Sequence, residues 1–265
     1  MGLRARRPAL PALRDPRALT RPGRRQPHHL LVPSVSDVKR VGHKGADHVA
    51  PGNTRESFQA ALEHGVDMIE FDVLRLRDGR LVLAHDLEDA AKREPLTLDE
   101  GLDIFAEVAY AGVELDVDMK IPGYEREVVE GLRKRGLTAS ALISSMHLKS
   151  LSRVGDLEPG IQRGWSVPNV RRDYTRSVLA PAALVILQVW RARLPAQAAA
   201  RLRAGECEAL MSHFRLVTPR LARVVKEAGG ELYVWTVDDA ERIAQLESWG
   251  VDGVITNDPR LFVPA

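Results

Sequence analysis

The chain has 265 residues, 45% of them apolar, with a formal net charge of +2, values that fit a globular protein and exclude a wholly disordered one. The charge is uneven: residues 1–29 carry eight Arg and a single acid, a net +7, which leaves the remainder at −5. A mildly acidic body argues against a nucleic-acid partner, whose phosphates call for a basic face, and one cysteine, Cys207, excludes both an intramolecular disulfide and a multi-cysteine metal site.

Residues 1–35, rich in Arg and Pro, read as a disordered arm ahead of one domain spanning 36–265. The arm contains no apolar block of the kind a secretory signal requires. The longest apolar stretch, Ala180 to Trp190, is broken by Pro181 and Gln188 and falls short of the roughly 18 to 20 residues of a membrane span. A cytoplasmic protein without a transmembrane segment is expected, with peripheral membrane contact and oligomeric state left open.

From residue 38 onward, short β-like runs alternate with helical patterns. The strands expected are Arg40 to His43, Met68 to Leu74, Val113 to Met119, Ala141 to Ser145, Ile161 to Ser166, Ala209 to His213, Leu232 to Thr236 and Gly253 to Thr256. Between them, Asn53 or Thr54 caps a helix through Glu63. Others run from Glu125 to Lys134, Thr218 to Ala228 and Asp239 to Trp249, each stopped by Gly. Ala183 to Trp190 could be a ninth strand, but Pro181 and the Ala-rich residues 196–204 favour a helical insertion before the sixth strand. Eight βα units over this length predict a TIM (β/α)8 barrel, with Leu81 to Ala84 forming a small extra hairpin after the second strand. An open doubly wound sheet is the runner-up, but the segment after the first strand is not a dinucleotide-binding GxGxxG turn.

Strand alternation carries the chemistry. Ile69, Phe71 and Val73 alternate with Glu70 and Asp72, so if the apolar set packs beneath helices the carboxylates enter the barrel. The third strand repeats the pattern: Val113, Leu115, Val117 and Met119 face outward, while Glu114, Asp116, Asp118 and Lys120 face in. Carboxylates so close stay ionised together only around a cation. All-oxygen ligands select a hard ion, so Glu70, Asp72 and Asp118 are expected to hold one divalent cation, Mg²⁺ or Ca²⁺. His43 and His85, at strand ends beside that charge, are the groups suited to move protons near neutral pH.

The segment from His43 to Asp86, HKGADHVAPGNTRESFQAALEHGVDMIEFDVLRLRDGRLVLAHD, resembles the glycerophosphodiester phosphodiesterase signature. The resemblance continues through Asp118-Met-Lys120, Ser144-Ser145, Trp235-Thr-Val-Asp238 and Val251 to Pro259. It implies hydrolysis of a small-molecule glycerophosphodiester to sn-glycerol 3-phosphate and an alcohol, using one divalent ion. It further implies His43 and His85 as the catalytic pair, Glu70, Asp72 and Asp118 as metal ligands, and Lys120 and Trp235 as substrate contacts. Lys44 and His213 are added as substrate-binding candidates.

Three positions depart from the family pattern: Lys44 stands for Arg, Asp118 for Glu, and Gly52 for a frequent Glu. Glu114 and Asp116 share the face of Asp118 and could substitute for it as ligands. A lipid phosphodiesterase acting on lysophospholipids is an alternative that would use Val178 to Trp190 as an apolar entrance. A non-catalytic phosphodiester-binding barrel is another, and it would require loss of a histidine or a ligand.

Overall fold

In a computed structural model, the described residues are 38–168 and 180–262, without the side chains of 180–185; the arm expected over 1–35 lies outside them. The strands are β1 (Lys39–Gly42), β2 (Met68–Arg75), β3 (Leu81–Leu83), β4 (Glu114–Met119), β5 (Ala141–Ser145), β6 (Gln162–Val167), β7 (Ala209–His213), β8 (Glu231–Trp235) and β9 (Gly253–Thr256). All pair in parallel except β3, which runs antiparallel to β2 with Val73 opposite Leu83. Because β1 pairs with both β2 and β9, the eight parallel strands close into a barrel, and β3 is the expected hairpin extension on β2.

The helices are α1 (Arg55–Glu63), α2 (Leu87–Ala91), α3 (Leu98–Phe105), α4 (Glu125–Lys134), α5 (Leu148–Leu157), α6 (Ala180–Arg203), α7 (Pro219–Glu227) and α8 (Ala240–Ser248). Their starts follow side-chain chemistry. Thr54 and Ser57 form a reciprocal capping box on α1, Thr97 and Glu100 on α3, and Asp239 and Thr218 cap α8 and α7, the latter with Pro219 in the first turn. The apolar run before β7 is helical, as its flanks require: α6 continues through Pro195.

Alternation along the strands produces two apolar layers. Ile69, Phe71, Val73, Leu115, Val117 and Met119 pack outward against Phe58, Leu102 and Val128 of the helices, with Phe71 and Phe105 stacked at 5.0 Å. Val41, Met68, Leu142, Met211, Tyr233 and Ile255 fill the barrel itself. The interior is therefore a packed floor beneath whatever polar side chains stand at the strands' C-terminal ends.

Candidate active site

β2 and β4 lie side by side with Glu70 opposite Asp116 and Asp72 opposite Asp118, so four carboxylates enter the barrel within two rungs. One oxygen from each of Glu70, Asp72 and Asp118 lies within 4.8 Å of the others. Glu114 does not join them: it stands at the start of β4, where its carboxylate takes Lys39 Nζ at 2.7 Å. Asp118, one methylene shorter than the family's usual Glu, thus still reaches the cluster.

Each ligand candidate is held from behind. The backbone N–H of Lys44 donates to Glu70 Oε2 at 2.8 Å. Asn53 grips Asp72 twice, donating from Nδ2 to Oδ2 at 2.8 Å and accepting the Asp72 backbone N–H at 3.0 Å. Lys120 Nζ forms ion pairs with both Asp72 and Asp118.

One ammonium cannot balance this much negative charge. Burial, and next the neighbouring Asp72, push the Glu70 carboxyl well above the carboxylate range. Burial and Asp118 push Asp116 up to about 8. For Asp72 burial acts upward, but Lys120, His85, His43 and Lys44 outweigh it and hold the carboxyl below its usual range. Lys120 is itself raised well above an ordinary lysine, the attraction of Asp118, Asp72 and Glu70 overcoming its burial. Even with Lys120, Lys44 and the two histidines nearby, the Glu70 and Asp116 carboxyls are pushed toward their protonated forms; a divalent cation would let them ionise. The donor set fits such an ion: one oxygen from each of three carboxylates converges, the all-oxygen ligation that a hard divalent cation takes.

His43 directly follows β1 and is fixed by its backbone N–H to Thr256 O at 2.8 Å. Its Nδ1 lies 2.5 Å from Asn257 Oδ1 and its Nε2 3.8 Å from Glu70 Oε2. Burial, then Lys44, lower its pKa against the opposing pull of Asp72. His85 sits just past β3 with its side chain 52% exposed and Nδ1 3.1 Å from Asp86 Oδ2. Both histidines line one cavity of about 150 Å³, with Glu70, Asp118, Lys120 and Trp235 also on its wall.

The remaining candidates divide. Trp235 lines the cavity, whereas Tyr233, on the same face one rung lower, is fully buried in the floor. His213 sets its ring edge-on to Trp235 at 5.1 Å and stacks on Phe214 at 4.6 Å. Lys44 adopts a left-handed backbone with φ 51°, and its ammonium lies 3.4 Å from Asp47. Gly52 is required here: a β-carbon would come within 2.5 Å of Asp47 Oδ1, which accepts the Gly52 N–H at 2.8 Å.

Three polar residues at the site escape sequence reasoning. Asn53, a candidate cap, leaves that task to Thr54 and instead holds Asp72. Asn257 meets His43, and Asp238 meets Asn257. All three lie in segments that resemble the family signature, but without an assigned role in the site; polar character immediately after a strand or before a helix at the mouth of the barrel is the signal that could have given them one.

The family model for glycerophosphoryl diester phosphodiesterases matches residues 43–99 and 87–261. The chain belongs to this family. Family membership makes it a phosphoric diester hydrolase, and the paired histidines and acidic triad fall inside the matched range. Among curated glycerophosphodiester phosphodiesterases, that of Caldanaerobacter subterraneus subsp. tengcongensis is 25% identical over 255 residues, covering 84% of this chain and 95% of the relative. One from Arabidopsis thaliana is 28% identical over 236 residues, covering 83% and 70%.

Solved structures share the barrel of this glycerophosphodiester phosphodiesterase family member. The enzyme from Parabacteroides distasonis superposes with a TM-score of 0.66 at 17% identity, over 85% of this chain and 94% of that one. A phosphodiesterase from Oleispira antarctica, solved with its product sn-glycerol-3-phosphate, gives 0.63 at 22%, over 84% and 94%. Among the described residues, no helix is long and apolar enough to cross a membrane.

Proposed function

We propose that the chain hydrolyses glycerophosphodiesters to sn-glycerol 3-phosphate and an alcohol, with His43 and His85 as its proton-transfer pair and Glu70, Asp72 and Asp118 as ligands of one Mg²⁺ or Ca²⁺. The observation that carries this is the meeting of both histidines with Glu70 and Asp118 on one cavity wall, Asp72 lying buried behind them within the same cluster. When bound, a divalent cation there supplies positive charge to the phosphate's nonbridging oxygens.

The residues divide the work. His43, with 19% of its side chain exposed and its pKa lowered, is the base: as the oxygen of an attacking water, or of the substrate's own hydroxyl on the way to a cyclic phosphate that water then opens, bonds to phosphorus, its proton passes to Nε2. The P–O bond to the alcohol breaks in the same displacement, and His85, at the solvent-facing rim, returns a proton to the leaving oxygen. Lys120 presents an ammonium to the phosphate, Trp235 an aromatic wall, and Lys44 and His213 complete the substrate-facing set. The catalytic barrel is taken to span residues 36–265, supported by a family match that begins at residue 43, and a cytoplasmic location accords with a lone, free cysteine.

The test is release of glycerol 3-phosphate from glycerophosphocholine and related diesters, with Mg²⁺, Ca²⁺ or chelator. Inactivity under every metal condition would refute the proposal. A second reading, action on lysophospholipids, is favoured by Ile186 and Val189 of α6, which stand 59% and 43% exposed. They lie close in sequence to Arg191, whose guanidinium reaches Arg215 O beyond β7. Comparing a lysophospholipid with glycerophosphocholine as substrates separates the two.

A further inference from the structure

Asp238 follows β8 and Asn257 follows β9, and neither belongs to the acidic cluster. Asp238 grips Asn257 through both of its carboxylate oxygens: Oδ1 accepts the Asn257 backbone N–H at 2.8 Å and Oδ2 accepts the side-chain Nδ2 at 2.7 Å. Thr256 Oγ1 donates to the same Oδ1 at 3.0 Å. A carboxylate only accepts, so the amide group of Asn257 must turn its NH₂ toward Asp238 and its carbonyl oxygen the other way. That oxygen is the atom 2.5 Å from His43 Nδ1. A carbonyl oxygen in turn only accepts, so Nδ1 must carry a hydrogen.

We infer that Asp238, acting through Asn257, fixes His43 in the Nδ1–H tautomer and aims its unprotonated Nε2 at the acidic cluster. Each contact in the relay has one permitted direction, set at its start by a carboxylate that cannot donate. The backbone bonds from His43 N to Thr256 O and from Val237 N to Ile255 O, at 2.8 and 2.9 Å, tie all three loops to the end of β9, so the relay is held by the barrel rather than by the side chains alone. Asp238 and Asn257 are positioning residues, acting through His43 without touching the reacting atoms. The inference rests on the reading of His43 as the base.

An isosteric change tests it. In Asp238→Asn, the new amide must keep its oxygen toward the Asn257 N–H and Thr256 hydroxyl, leaving its NH₂ to face the Asn257 side chain. Asn257 then flips, presents its NH₂ to His43 Nδ1, and drives the proton to Nε2. The double variant Asp238→Asn/Asn257→Asp restores an acceptor at His43 and with it the original tautomer.

The readout is long-range ¹H–¹⁵N correlation on full-length protein with ¹⁵N-labelled histidine, chelator present, the His43 signals assigned by their loss in His43→Gln. Nδ1–H in the native chain, Nε2–H in Asp238→Asn, and Nδ1–H again in the double variant are expected. The kcat for glycerophosphodiester hydrolysis should fall by about 10²- to 10⁴-fold in the single variant and recover in the double, with KM little changed. An Nε2–H tautomer in the native chain, or an unaltered tautomer in Asp238→Asn whatever its activity, overturns the inference. Full activity in His43→Gln would instead overturn the assignment of the base, and the tautomer measurement would remain valid without it. Asp238→Ala, which removes the clamp without inverting it, serves if the isosteric variant does not fold; it should give a mixture of tautomers, and a pure Nδ1–H signal there counts against the inference.

Discussion

Asn53 connects the helix entry directly to the acidic cluster. It is fully buried, holds a left-handed φ of 58°, and spends both ends of its amide on Asp72. In Asn53→Ala the carboxylate loses a donor, the backbone N–H of Asp72 loses its acceptor, and the left-handed backbone loses the short amide side chain that makes Asn tolerant of it. A cost of about 1–3 kcal/mol in stability follows from the unsatisfied groups, and metal affinity should fall by about 10- to 100-fold, as for other supports of a ligand. Calorimetric titration with Ca²⁺ measures the second; unchanged affinity would mean that Asp72 needs no help from Asn53. At the rim the expectation differs. His85→Ala removes a half-exposed side chain, so it should lower kcat by about 10²-fold or more while the melting temperature stays within a degree or two of the native value. A large loss of stability would mark His85 as structural instead.

The elements explain why some of this was legible in the sequence and some was not. β2 and β4 announce themselves because a strand buried on one side by helices and on the other by a polar site must alternate, and alternation is visible within six residues. Three helix starts were readable for the same local reason: Thr54, Thr218 and Asp239 act on atoms three residues away. The fold class follows once eight such strands are counted. The relay to His43 was invisible because Asn257 lies 214 positions from its partner, and no spacing rule spans that distance. Gly253 is a similar case on β9. A β-carbon there would sit 2.3 Å from the ring of Tyr233, which is fully buried and donates to Glu231 at 2.8 Å. Gly253→Ala should therefore overpack the barrel floor by about 1–3 kcal/mol, lowering the melting temperature by roughly 2–10 °C for a domain of this size. Because this contact involves Tyr233, one rung below cavity-lining Trp235, kcat at low temperature should be preserved. A loss of activity without loss of stability would show instead that floor and mouth are coupled.

For the molecule as a whole, the acidic interior couples folding to pH and to metal. The Asp116 carboxyl titrates at about 8 in the folded chain and near 3.9 when unfolded. Between those values the native state holds a proton that the unfolded state lacks. Its contribution to stability is therefore complete below about pH 4 and is lost as the pH climbs through about 8. Glu70, raised by burial and by Asp72, acts in the same direction. Asp72 works oppositely, because its carboxyl is held below the usual range; its contribution is present above about pH 4 and fades only as the pH falls further. Metal-free protein should accordingly lose melting temperature between pH 5 and pH 9. Asp116→Asn, which keeps the shape and removes the ionisation, should flatten that decline, and Mg²⁺ or Ca²⁺ added at pH 8 should raise the melting temperature of the native chain by replacing protons with a cation. Scanning calorimetry across this range, with chelator and then with metal, gives both slopes. Parallel pH profiles for native and Asp116→Asn protein would mean that Asp116 ionises as easily in the folded barrel as in water, and that the charge of the cluster is balanced without either protons or a metal ion.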